Sequence, residues 1–286
     1  MKRQFRLGTT SFIYPDHIIP NVRKTGAFFD EIELLVFESM PEDVLPSPTQ
    51  IAELACLSRD LNVGYNVHLP TDVSLTSSAA KDRQKAADTI ARVVELCAPL
   101  SPSTHTLHLE MGFESAPSRA KPGTKPTSNS DELLRRDKKD MSAWQMRAMD
   151  GLERLVPLLP APGVISLETL DYSPALLQPL AQAHGLMICI DAGHHFLFGY
   201  DLAHSFAVFR DRLALVHLHG AACLEKGMKD HISLDHLGPH QLLQVRRLLA
   251  DCEGTVSLEV FNRQDLNRSL AVLSDMFNDI PSHLPA

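Results

Sequence analysis

Eight short apolar segments recur along this 286-residue chain, and stretches of helical periodicity lie between them. The strand candidates read at 5–10 (FRLGTT), 31–37 (EIELLVF), 64–69 (GYNVHL), 104–110 (THTLHLE), 163–168 (GVISLE), 186–191 (LMICID), 213–219 (LALVHLH) and 255–260 (TVSLEV). Ala86, Ile90, Val93, Val94 and Cys97 share one helical face, as do Leu266, Leu270, Leu273 and Phe277. Gly185 reads as the C-cap of a helix over 174–184. Strict alternation implies right-handed βαβ units, and eight of them close into one α/β domain over 1–286, a (β/α)8 TIM barrel. An open doubly wound sheet is the structural alternative, but no GxGxxG follows the first strand to suggest a dinucleotide fold.

Seven segments then end an apolar run on a histidine or a carboxylate: His68, His108, Glu168, Asp191 with His194, His217, His231 and Glu259. Parallel α/β barrels place their chemistry at the C-terminal ends of the strands, and a charge inside an apolar strand is costly. Residues two apart share a face, so His108 goes with Glu110 and His217 with His219, whereas His105 has the parity of Leu107 and Leu109 and points toward the helices. Imidazoles and carboxylates without cysteine suit Zn²⁺, Mn²⁺, Co²⁺ or Fe²⁺. The D-x-x-H pair Asp191 and His194 can address such a centre from one loop, with His195 facing away. His236 and His240 fit loop or helix-start positions, and Trp144 fits core packing.

Composition narrows the classes. The net charge of −8 argues against a large nucleic-acid footprint. No apolar run is long enough to span a bilayer and no signal-peptide core follows the N-terminus, so a cytoplasmic location is expected, with no membrane partner. The five cysteines, at 56, 97, 189, 223 and 252, form no CxxC pair and read as buried free thiols. No G-x-S-x-G elbow, phosphate-cradling loop or cysteine with an evident histidine partner is present. Residues 111–140 are too rich in Pro, Ser and Lys, and too long, for an ordinary βα connection. They read as a solvated insertion, or as a lid carrying Arg119, Lys121 and Lys125 toward a phosphate.

With these residues in place, the chain resembles the xylose-isomerase-like barrel superfamily, which holds sugar isomerases, epimerases and the endonuclease IV type of phosphodiesterase. The opening LGTTSFIYPDHIIPNVR, with DEIELLVFES and YNVHLPTDVSL, is similar to the cobamide-remodelling phosphodiesterases (CbiR). That resemblance implies metal-dependent hydrolysis of the nucleotide-loop phosphodiester of cobamides, a small-molecule corrinoid substrate and two or three divalent ions. It also implies ligand roles. His68, His108 and Glu168 would hold a first ion; Glu168 would bridge to a second held by Asp191, His217 and Glu259; His194 and His231 would serve a third. The family's D-R-H reads Lys229-Asp230-His231 here, which leaves the third ion short of a carboxylate and offers Lys229 as a cation for the phosphate. Glu168, Glu259 and Lys229 are the expected catalytic positions. Glu110, His219 and Asp230 are candidates for orienting ligands, moving protons or meeting substrate.

Three readings compete. A sugar isomerase or epimerase needs one ion on Glu168, Asp191, His217 and Glu259, which leaves His68, His108, His194 and His231 underused. Another endonuclease IV-like phosphodiesterase is the second, and a non-catalytic binding barrel the third. Oligomeric state is left open by the sequence.

Overall fold

The computed structural model of the protein describes residues 1–39, 45–111, 130–224 and 227–285. Eight parallel strands close into a barrel: β1 (Arg6–Thr10), β2 (Glu31–Leu35), β3 (Gly64–His68), β4 (His105–Leu107), β5 (Ile165–Glu168), β6 (Met187–Asp191), β7 (Leu213–Leu218) and a last strand, Thr255–Leu258. All eight lie within the segments expected from sequence. An antiparallel ribbon of β8 (Gly220–Leu224) and β9 (Gly227–Ile232) is inserted after β7, so the last barrel strand is β10. The barrel order is β1-β10-β7-β6-β5-β4-β3-β2.

The helices are α1 (Ile18–Thr25), α2 (Pro48–Leu61), α3 (Ala80–Cys97), α4 (Ser130–Leu155), α5 (Leu177–His184), α6 (Ala192–Phe198), α7 (Leu202–Phe209), α8 (Pro239–Ala250) and α9 (Arg263–Met276). Local chemistry sets several of their ends. Ser47 and Gln50 form a capping box with Pro48 at the first turn of α2. Gly185 closes α5 in the left-handed region, at φ 67°. The apolar faces read from sequence on α3 and α9 are buried against the outer faces of the strands, where the main core lies. Among the described residues no helix is long and apolar enough to cross a membrane.

The interior of the barrel is polar rather than aliphatic. Glu31, Glu33, Asn66, Thr106, Ser166, Thr255 and Ser257 are all buried. The Glu31 carboxylate accepts from Asn66 (2.7 Å), Ser103 (2.7 Å) and Thr255 (3.3 Å), and lies 3.2 Å from Arg6. Barrels of this kind are usually filled by branched apolar side chains. Here cohesion comes from the strand–helix layer, and the lumen is given to hydrogen bonding.

Two sequence expectations change and one, the core packing of Trp144, holds. Part of the long insertion is ordered helix, because α4 begins at Ser130; residues 112–129, with Arg119, Lys121 and Lys125, lie outside the described residues. Cys97, Cys189 and Cys252 are buried free thiols as expected, but Cys56 is exposed on α2 beside Arg59. Trp144 is fully buried in α4, donating to the Glu110 carbonyl at 3.1 Å and packing on Tyr172.

The inner end of α4 is clamped onto the loop after β3. A Cβ on Gly151 would sit 2.2 Å from the Leu75 carbonyl oxygen, which is backbone and cannot swing aside. Gly151→Ala should therefore destabilise the barrel by about 1–3 kcal/mol, the usual range for overpacking, as read from urea denaturation.

Candidate metal centre

Side chains from β3 to β7 and β10 converge at the C-terminal mouth of the barrel. Among the described residues, His68, His108 and Glu168 form one group whose ligating atoms all lie within 4.8 Å of one another. Glu168, Asp191, His217 and Glu259 form a second; Asp191, His194, His219 and His231 form a third. The groups overlap: Glu168 belongs to the first two and Asp191 to the last two. Every metal ligand expected from sequence is therefore placed in this cluster.

In the first group the Nε2 atoms of His68 and His108 face each other at 3.1 Å, and both turn toward Glu168 Oε2, at 3.6 and 2.9 Å. His68 is held from behind by its Nδ1, 3.0 Å from the Leu69 carbonyl, which places the proton on Nδ1 and leaves Nε2 a lone pair. In the second group His217 Nδ1 lies 3.0 Å from Glu259 Oε2 and 3.3 Å from Glu168 Oε1. His217 Nδ1 and Glu259 Oε2 are buried without a hydrogen-bond partner, an uncommon state for such atoms.

Asp191 ends β6 and caps α6, accepting from the His194 backbone N–H at 2.7 Å. That cap explains the D-x-x-H spacing: it folds the first turn of α6 so that the His194 ring returns to 3.3 Å from Asp191 Oδ2. His219 Nε2 lies 3.1 Å from the same oxygen. Its Nδ1 lies 3.0 Å from both the His231 N–H and the Gly220 carbonyl, and its ring stacks on His231 at 4.2 Å. The His219 ring is also pressed against Gly193, where a Cβ would come within 2.1 Å of it. His219 is thus part of the cluster itself.

The ribbon sets the positions of Lys229, Asp230 and His231. His231 has φ 51°, the left-handed region that non-glycine residues seldom occupy. The β8–β9 register slips by one residue there, between the pairs Gly220↔Ile232 and Ala222↔Lys229. The bulge turns Asp230 and His231 toward the site together, with Asp230 3.2 Å from His231 and 3.8 Å from His194. Lys229 is exposed and, like Asp230, belongs to none of the three groups, while the Asp230 carboxylate stands beside His231 and His194.

Other expectations fall either way. Glu110 is exposed and outside the groups, its backbone carbonyl serving as acceptor for Thr76 and Trp144. His105 turns out of the lumen to the Val164 carbonyl (3.0 Å), and His195 binds the Asp191 carbonyl (2.7 Å). His236 lies in a short 3₁₀ turn and His240 in the first turn of α8. Two residues escaped the sequence reading. Cys189 lies beside Glu168 and His217, although burial pushes its thiol well above the ordinary range and keeps it neutral. Glu33, fully buried on β2, meets His217 Nε2 at 2.9 Å; the E-I-E alternation that aims it inward is visible in the sequence.

Three carboxylates with oxygens inside 4.8 Å repel one another by roughly 3 kcal/mol per pair at an effective dielectric near 20, so the cluster requires positive charge. Without ions, protons on the imidazoles supply it. Burial pushes His231 down, but the carboxylates of Asp230 (3.2 Å) and Glu259 (3.5 Å) beside it carry it up to about 11. His108 and His219 rise against burial for the same reason, through Glu168 and Asp191 respectively. Burial raises Glu168 and Glu259, and the facing imidazoles outweigh it and hold both well below the usual carboxylate range. Divalent ions fit this donor set better than protons do. A proton can join the two facing Nε2 atoms only pairwise, whereas an ion satisfies both and Glu168 at once.

The sign of the pH dependence follows. Raised imidazoles stabilise the ion-free fold below about pH 6.5, and that contribution is lost as pH climbs through their folded values. Depressed carboxylates stabilise it above about pH 4.5, and that contribution is lost on acidification. The ion-free protein should therefore be most stable between these limits. Ions, which need neutral imidazoles, should raise Tm more at pH 8 than at pH 6, as measured by thermal denaturation with and without a chelator.

Comparison with known proteins agrees with the architecture. The chain matches the family model described as xylose isomerase-like TIM barrel over residues 19–277. No curated protein matches it at a significant level. Similar solved structures include a D-tagatose 3-epimerase-like protein (17% identity, TM-score 0.70, covering 95% of this chain and 96% of that one). The E. coli 3-keto-D-glucoside 4-epimerase YcjR is similar at 16% identity and TM-score 0.64, over 95% and 98%. SacUVDE is similar at 11% identity and TM-score 0.66, over 95% and 99%. At these identities the structures speak to the fold alone. The family match spans most of the sequence, and the chain belongs to the xylose isomerase-like TIM barrel family.

Proposed function

We propose that this protein is a metal-dependent phosphodiesterase that hydrolyses the nucleotide-loop phosphodiester of cobamides, with a small-molecule corrinoid as substrate. The observation that carries hydrolysis is the overlap of three donor groups through Glu168 and Asp191, a set larger than one ion can use. His68 and His108, with Asp230 beside His194 and His231, extend the centre on both sides of the four residues an isomerase would need.

Bound divalent ions would supply Lewis acidity, acidifying water and neutralising charge that builds on phosphate oxygens. The chain's part is to hold the donors fixed: strand ends anchor Glu168 and His217, the helix cap anchors Asp191, and the ribbon bulge anchors Asp230 and His231. No buried side chain in the cluster is a ready nucleophile, since the Cys189 thiol is held neutral.

The corrinoid assignment draws on the opening stretch. After β1 the chain folds around buried Asn21, whose side chain binds the backbone of Ile13, Tyr14, Asp16 and His17. This fixed loop holds Phe12 half exposed at the mouth. Phe37, edge-on to His68, and Phe261, stacked on His231, follow the neighbouring strands β2 and β10. An aromatic rim on three consecutive strands suits a substrate with a flat, apolar part better than it suits a small sugar.

A second reading keeps one ion on Glu168, Asp191, His217 and Glu259 for sugar epimerisation, and is favoured by the epimerase titles among the similar folds. Metal analysis with product identification separates the two. The expected outcome is two or more divalent-ion equivalents per chain and a corrinoid freed of its lower nucleoside. One equivalent with ketose turnover would replace this reading by epimerisation. Glu168→Gln should abolish turnover while circular dichroism stays unchanged; retained turnover would remove Glu168 from the role of shared ligand.

A further inference from the structure

We propose that Glu33 is the positioning residue of this centre: from β2 it fixes the proton of His217 on Nε2 and so presents Nδ1 to the ion shared with Glu168, Asp191 and Glu259. The inference deepens the metal-centre reading and rests on it.

Glu33 is one of the few fully buried carboxylates outside the three donor groups. It reaches across the lumen, past β1, to partners on β7 and β10. His217 Nε2 lies 2.9 Å from its Oε1, and Ser257 donates to its Oε2 at 2.7 Å. Among the described residues its ion-pair partner is His217, and no Lys or Arg pairs with it. A carboxylate buried on these terms is expensive unless the contact with the imidazole does something.

Geometry says what that is. A carboxylate can only accept, so the proton of the Glu33–His217 bond sits on Nε2. In the neutral ring that an ion needs, Nδ1 then carries the lone pair, and it is the atom that faces Glu259 Oε2 at 3.0 Å and Glu168 Oε1 at 3.3 Å without a hydrogen-bond partner. With Glu33 removed, the proton could move to Nδ1 and bond Glu259, which would block the ligand position. Carboxylate–histidine pairs of this kind orient the ring and raise its basicity as a ligand, and their loss costs metal affinity about 10–100-fold.

Cobalt(II) titration of the full-length protein, stripped of metal, tests this by visible absorption and by the dissociation constant. Glu33→Gln, close to isosteric, should weaken cobalt binding about tenfold or more and alter the d–d bands. Ion-free circular dichroism should stay that of the wild type. Glu33→Ala should weaken binding at least as much; if it fails to fold, Glu33→Gln decides. Ser257→Ala, which leaves the Glu33–His217 bond in place, should have a smaller effect than either. Wild-type affinity and an unchanged spectrum in Glu33→Gln would overturn the proposal and leave the metal centre standing. A wild-type protein that takes up no cobalt would instead overturn the metal-centre reading itself.

Discussion

The mutual repulsion of Glu168, Asp191 and Glu259 is the constraint around which the mouth of this barrel is built. None of the three can leave, since each ends a strand, and all are almost fully buried. Their charge is answered by the six imidazoles of the three groups, and the depressed carboxylates and raised histidines follow from that balance. A proton is a poor answer because it binds one pair at a time. An ion is a better one, because a single charge centre can draw donors from several strands together. The same repulsion that makes the empty cage costly is what would make its affinity for cations high.

Local backbone chemistry serves that constraint in two places where it would ordinarily serve only the fold. The N-cap of α6 is supplied by Asp191, so one carboxylate ties the helix to β6 with Oδ1 and turns Oδ2 to the site. The cost is crowding, visible at Gly193, where only hydrogen fits beneath the His219 ring. The ribbon pays in backbone strain: His231 sits in the left-handed region so that two successive residues can face the same way. Strain of about 1–3 kcal/mol is retained where surrounding contacts over-determine it. Here those contacts are the His219 stack and the bond from the His231 amide.

Much of this was legible in the sequence because a barrel strand has period two and ends in a predictable place. Eight apolar runs gave eight strands, and parity alone separated His108 from His105. What resisted reading depended on irregularity or on distance. The ribbon lacks an alternating pattern, and its bulge turns Asp230 and His231 to the site together in a way no strand periodicity anticipates. Cys189 looked like an apolar thiol because its neighbours in MICID are apolar, although it shares the inward parity of Asp191. Glu31 and Glu33 lie on an alternation, E-I-E, that reads equally as a solvated strand face; only closure of the barrel shows that the face is interior.

That interior explains how the centre is supported. A lumen packed with Val, Ile and Leu would hold the strands together but could offer the site nothing from below. Here Glu33 and Ser257 reach His217 from beneath, and Glu31 anchors a second polar tier nearer the floor. Asn66 Oδ1, Thr106 Oγ1 and Ser166 Oγ are buried there without partners among the protein groups. Orphaned buried oxygens of this kind are ordinarily met by internal water. The barrel therefore gives up apolar cohesion in its lumen and recovers it in the outer strand–helix layer. The exchange lets hydrogen-bonding groups, rather than packing alone, fix the angles of the side chains at the mouth.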